Sequence, residues 1–296
     1  MIKNITLSGA EHVVKLTNEH CRSCTDVISA KICSILPTPA EDGFTLAEVL
    51  AGRGNMLPVF SKAGFTLAEV LITLGIIGVV AAMTIPTLIS KIQKQQIEAQ
   101  LKENYSVIAQ AMKLSEEEGA ISPQLVVNQQ KVQAWFEEFM SKSLKTEVVC
   151  YHKPGCWHKS GVVKTLNNTT PNYETNVGNG ESVIGAISVT FRTAKGAYFD
   201  LDISGSAASQ GLFGIDTSQN TLQFYVDVNG DRKPNIIGKD IFIMVYEYDK
   251  GLVPAGNDRT PNEIKQNCEQ GNGYWCMKYI KDNGWVIPDS VWKRKI

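Results

Sequence analysis

The chain has 296 residues, 29 basic and 30 acidic side chains, a net charge of −1 and 43% hydrophobic residues. This composition is close to that of an ordinary globular protein, so it argues against a disordered polyelectrolyte and offers no basic field for nucleic acid. The length allows one or two domains.

Residues 1–42 show no clear period. Glu19-His20-Cys21-Arg22-Ser23-Cys24, with Cys33 further on, has the residue types of half a zinc site but no second pair at ligand spacing. An internal repeat begins at Gly43: GFTLAEVL, from Gly43 to Leu50, returns letter for letter from Gly64 to Leu71. The first copy runs into Ala51-Gly52-Arg53-Gly54-Asn55-Met56-Leu57-Pro58, whose glycines, charge and proline end any membrane span. Only the second copy continues into an apolar helix.

That helix lies between Gly64 and Pro86, and its one charge is Glu69. The stretch matches the roughly 20 residues that cross the hydrocarbon core of a bilayer. A carboxylate a turn into such a helix costs on the order of 3 kcal/mol and calls for a partner. No Lys, Arg or His lies in the run. A free α-amino group on Phe65 would serve, on the same helix or a staggered neighbour, and it exists only if the chain is cut after Gly64.

Lys62-Ala63-Gly64-Phe65-Thr66-Leu67-Ala68-Glu69, followed by an apolar helix and Pro86, resembles the class III signal of type IV prepilins and type II secretion pseudopilins. The resemblance implies cleavage after Gly64 by a membrane prepilin peptidase, N-methylation of Phe65, and assembly guided by Glu69 with Pro86 at the family's spacing. It further implies other pilin or pseudopilin subunits and an inner-membrane assembly platform as partners, beside the lipid bilayer. Family leaders are short, so translation is expected to start at Met56, giving the leader MLPVFSKAG, or else residues 1–55 are an inherited duplication.

Lys91, Lys94 and Lys102 follow the span and outnumber the basic residues just before it, against the positive-inside rule. The processing motif and the downstream cysteines outweigh this bias and put the C-terminal part on the exported side. Cys150, Cys156, Cys268 and Cys276 suit disulfides in an oxidising compartment; 150 with 156 and 268 with 276 are the nearest in sequence, and four cysteines permit three connectivities. Cys150, Cys156, His152 and His158 also carry zinc-ligand types, though a disulfide-closed loop is the preferred reading.

Past Pro86, Leu88, Ile92, Ile97, Leu101, Tyr105, Ile108 and Met112 recur on one face up to Glu118, so the helix is expected to continue as an amphipathic element. Residues 124–144 read as a second amphipathic helix, and Asn167–Gly180 as an exposed loop. Val183–Phe191, Ala197–Ile203, Thr221–Val228 and Ile241–Tyr248 read as strands of an antiparallel sheet. The fold class is therefore α+β and pilin-like, divided into a leader at 1–64, a transmembrane helix at 65–86, its amphipathic continuation at 87–118 and an exported domain at 119–296.

Asp227, Asn229 and Asp231, with Asp240 beyond, alternate like the first ligands of a calcium loop, but Gly238 stands where a bidentate Glu belongs. A connection whose side chains cap their own backbone is the preferred reading, with calcium as the alternative. Tyr274, Trp275, Tyr279, Trp285 and Trp292 crowd the tail and are read as a satellite core under a disulfide-closed loop rather than a binding surface. No catalytic motif is present, so a filament subunit, most consistent with a minor one given the size of the mature chain, is expected rather than an enzyme. The alternative is a membrane-tethered binding module displayed by the same signal.

Overall fold

Helix α1 (Leu67–Glu117) is 51 residues long, about 77 Å at 1.5 Å per residue, and runs through Pro86 without a break. The computed structural model describes residues 65–120, 128–171, 174–247 and 249–296. The first repeat copy, Met56, Gly64 and the cysteines Cys21, Cys24 and Cys33 lie outside the described residues.

α1 has two surfaces in series. From Phe65 to Ile92 its large apolar side chains stand bare, with Phe65 87% and Leu71 60% accessible. Further on, Ile97, Leu101, Ile108, Ala111 and Met112 are buried, at spacings that place them on one face. That face lies on the domain core.

α2 (Gln129–Trp135) starts at Asn128, whose side chain accepts from Lys131 N at 2.9 Å. It passes into a π-helical turn, Phe136–Met140, and a last turn, Ser141–Ser143. Val132, Trp135, Phe136 and Met140 are buried. Leu125 and Val126, counted with this helix from the sequence, lie outside the described residues.

Among the described residues eight strands follow: β1 (Thr146–Tyr151), β2 (Glu174–Gly178), β3 (Glu181–Ile184), β4 (Val189–Thr193), β5 (Tyr198–Ser204), β6 (Thr221–Asp227), β7 (Ile241–Glu247) and β8 (Gly251–Pro254). Six form an antiparallel sheet in the order β1-β4-β5-β6-β7-β8, and β2 with β3 forms a separate hairpin. The expected strand over 183–191 is thus two strands with a break. Gly185 sits in the break at φ +92°, where a Cβ would fall 2.0 Å from the Asp202 carboxyl carbon, so glycine alone fits there. The expected loop over 167–180 contains β2, which turns into β3 through Asn179-Gly180, both at positive φ as a primed hairpin turn requires.

The sheet is covered on both sides. Alternate residues of the central strands, Phe199, Leu201, Leu222, Phe224, Val226, Phe242 and Met244, share a cluster with Leu101, Ile108 and Phe136 of the helices. The intervening Tyr198, Tyr225, Ile241, Ile243 and Val245 pack with Trp157, Val163, Phe213 and Ile215. Burial of both faces explains why β6 and β7 are buried at every position.

A short helix, α3 (Ser206–Gly211), joins β5 to β6, and the tail forms α4 (Pro261–Glu269), α5 (Cys276–Asp282) and α6 (Asp289–Trp292). Contrary to the expected satellite core, Met277, Ile280, Ile287 and Val291 of the tail join the same cluster as Ile97 and Leu101. The long helix gives these short elements an apolar face to cover, which their own sequence did not reveal. Replacing Leu101 by Ala should lower the unfolding free energy of the chain in detergent by roughly 2–5 kcal/mol. Leu71→Ala should leave it within about 0.5 kcal/mol. Equal losses at the two positions would contradict the division of α1.

Candidate functional site

The first turn of α1 closes on itself. Thr66, in extended conformation, accepts a hydrogen bond on Oγ1 from Glu69 N at 3.2 Å, and Glu69 Oε2 accepts in return from Thr66 N at 2.8 Å and from its hydroxyl at 2.8 Å. This is a capping box, which satisfies amides that the helix itself leaves without partners. The T-x-x-E spacing carries that signal in the sequence. Glu69 is thereby aimed back at the N-terminal end of the helix, beside Phe65, with local dipoles as its only partners in the described chain.

Beyond Glu69, α1 is long and apolar enough to cross a membrane, and none of its apolar window is buried against the rest of the chain. Gly75 and Gly78 have open space where a Cβ would stand, so neighbouring helices have room to approach there.

The other end of this bare stretch is clamped. Trp292 Nε1 donates to Ser90 Oγ at 2.9 Å, Lys94 pairs with Asp289 at 2.7 Å, and Ile287 N donates to Glu98 Oε1 at 2.8 Å. Tyr105 donates to the Leu252 carbonyl at 2.8 Å and accepts from Lys281 at 3.0 Å, while Tyr246 donates to Glu116. These contacts span 130 to 202 positions of sequence, and no local pattern marks them. They fix the lower half of α1 to the sheet and tail, so the apolar half projects as a stiff extension.

The four cysteines after α1 are joined as Cys150–Cys156 and Cys268–Cys276, with Cα atoms 5.9 and 5.1 Å apart. The first bond closes the loop after β1; the second ties α4 to α5. With Cys150 and Cys156 bonded to each other, the zinc alternative loses its thiolates. His152 instead lies 3.2 Å from Ser188 Oγ.

The 227–240 connection brings three of its four singled-out residues together. Asp227 Oδ1 accepts from Asn229 N and Gly230 N at 3.1 and 2.9 Å, and Oδ2 lies 2.8 Å from His158 Nε2 in a buried pair. Asp240 accepts from Asn235 N and Ile236 N at 2.8 and 2.7 Å and from Asn229 Nδ2 at 3.4 Å. Asp231 turns away and accepts from Tyr198 OH at 2.6 Å. Asn229 Oδ1 is buried without a donor. Among the described residues no three His, Cys, Asp or Glu side chains converge as metal ligands.

Burial pushes Asp240 up to about 8, with the nearby Asp227 adding to the rise, and carries Asp202 to about 7. Burial also raises Asp200 well above the carboxylate range; its Oδ2 accepts from Ile184 N at 2.6 Å while Oδ1 has no partner, an arrangement that suits a neutral carboxyl.

Residues 60–85 match the model of the prokaryotic N-terminal methylation motif, the signal of type IV pilins and pseudopilins. The chain carries a prepilin-type signal. The match covers Phe65, Thr66 and Glu69 and most of the bare helix, and it ends one residue short of Pro86. No curated protein and no solved structure matches the chain. The prepilin-type signal therefore sits on an α+β domain whose long helix and antiparallel sheet are consistent with a pilin-like fold.

The buried carboxyls give the domain a defined pH dependence. Asp202 and Asp240 hold protons in the folded state that the unfolded chain releases near pH 4, so stability falls as pH rises from about 4 towards 7–8. Thermal unfolding in detergent should occur several degrees higher at pH 5 than at pH 8, and Asp202→Asn should flatten the difference. A midpoint that rises with pH across this window would contradict the assignment.

Proposed function

We propose that the chain is a structural subunit, a minor one, of a type IV pilus or a type II secretion pseudopilus. Prepilin peptidase cuts it after Gly64 and methylates Phe65, and the mature chain waits in the inner membrane with residues 87–296 on the exported side. The observation that carries this reading is the coincidence of the prepilin-type signal with a helix half that is bare of any contact within its own domain. A subunit that must be covered by copies of other helices leaves that surface open. The two disulfides support an oxidising, exported compartment.

Assembly follows from electrostatics in a medium without water. Glu69 is held by Thr66 facing the N-terminal end of the helix, four residues from Phe65, on which cleavage creates an amine. A carboxylate and an ammonium in hydrocarbon attract far more strongly than in water, so the helix settles where the Glu69 of one subunit meets the Phe65 amine of the next. The filament, the assembly platform and the peptidase are the partners of this scheme, and its output is movement or display rather than chemistry.

For the 227–240 connection we propose a loop held by its own donors, since Asp227 and Asp240 each already accept two backbone amides. Calcium or a chelator added to the pH 8 unfolding experiment should then leave the midpoint unchanged, and a calcium-dependent rise would make the loop a metal site.

Glu69→Ala should be cleaved normally, because Gly64 and Phe65 are intact, but fail to enter filaments sheared from cells. Normal incorporation would contradict the subunit assignment and favour a tethered binding module.

A further inference from the structure

Where the bare half of α1 ends, the surface of the domain turns basic. Lys91 is exposed on the helix. Lys94, one turn on, pairs with Asp289 at 2.7 Å, and the same Asp289 is shared with the exposed Lys293 at 2.8 Å. Arg232 and Lys233 reach this place from the connection between β6 and β7: both are exposed, and they line one cleft with Trp292 and the helix face from Gln93 to Gln100. Three carboxylates stand against the five cations Lys91, Lys94, Arg232, Lys233 and Lys293, so the patch keeps a net positive charge. Asp289 is divided between two lysines, Glu98 accepts the Ile287 amide, and Asp231 accepts from Tyr198. Trp292 stands in the middle, half-buried, its ring N–H on Ser90.

The depth of this face follows from the helix. If Phe65–Ile85 fill the roughly 30 Å of hydrocarbon, Ser90 lies about 8 Å and Lys94 about 14 Å beyond its edge. The headgroup layer extends roughly 5–8 Å on each side. Ser90, Lys91 and Trp292 therefore sit at its outer boundary, within reach of phosphate for long basic side chains and at the level where indole rings are favoured.

We propose that this face is a seat for the anionic phospholipid headgroups of the leaflet from which the domain emerges. Lys91 and Trp292 sit at the level of the phosphates, and Arg232, Lys233 and Lys293, a turn or more further out, supply attracting charge within a Debye length of the surface. This rests on the membrane-anchoring reading and goes beyond it. It also gives a role to basic residues that stand on the wrong side of the span for the positive-inside rule: they dock the domain on its own membrane before it leaves for a filament.

The full chain is reconstituted in nanodiscs of phosphatidylcholine, alone or with about one-third phosphatidylglycerol, and amide hydrogen exchange is followed over 229–239 and 287–295. Exchange in both segments should slow on the order of tenfold in the anionic discs, an effect lost in high salt. It should also be lost in the triple variant Arg232→Gln, Lys233→Gln, Lys293→Gln, while β6 and β7 stay protected as proof of an intact fold. Equal exchange in the two lipids would overturn the proposal. So would slowing by short duplex DNA in phosphatidylcholine discs with none from phosphatidylglycerol, which would assign the face to nucleic acid. A chain that does not stay with the discs would overturn the anchoring itself, and the seat with it.

Discussion

One helix serving two solvents is the constraint from which the rest of this structure follows. A stretch such as Phe65 to Ile85, exposing Leu, Ile, Val and Met side chains around its whole circumference, is unstable in water and stable in hydrocarbon or among similar helices. The same helix from Ile97 onward has one apolar face and one polar face, which suits a sheet on one side and water on the other. The change of partner falls within two turns, between Ile92 and Ile97. There the tail clamps the helix through Ser90, Lys94 and Glu98. Without the clamp the bare half would be held only through the continuous backbone of α1 and the packing from Ile97 onward.

The domain holds that helix along one face of its sheet. Its central strands are buried on both faces, so the sheet is a rigid plate between α1 with α2 on one side and long connections on the other. The second face carries a polar stripe of Asp200, Asp202, Gln223 and Asp227, in which the three carboxyls accept from backbone amides and Asp227 also meets His158. The two disulfides act on the connections, one on the loop after β1 and one on the tail that grips the helix.

Legibility in the sequence tracked the range of the interactions. The Gly64–Pro86 stretch was readable because length and apolarity alone decide a membrane span, and because Gly64, Phe65 and Glu69 stand at fixed short spacings. The strands at 197–203, 221–228 and 241–248 were found within a residue or two, since β-branched and aromatic residues dominate them. The hairpin of β2 and β3 was missed although Asn179-Gly180 carries its turn signal, because the polar run around it, with no apolar alternation, looked like a loop. The break at Gly185 depends on Asp202 passing beneath it, seventeen residues away, and nothing local announces that. The clamp of α6 on Ser90 and the pairing of His158 with Asp227 are longer-range still. Glu69 reads from the sequence as a charge in need of a partner, and the T-x-x-E spacing from Thr66 also signals the cap that holds it.

The measurement that bears most directly on this account is the intact mass and N-terminal sequence of the chain taken from native membranes of cells with and without prepilin peptidase. The account predicts a mature chain that begins at N-methylated Phe65 when the peptidase is present and an uncut chain when it is absent. A chain that keeps residues 56–64 in both would contradict it, leaving α1 as an uncleaved anchor and Glu69 without the amine it faces.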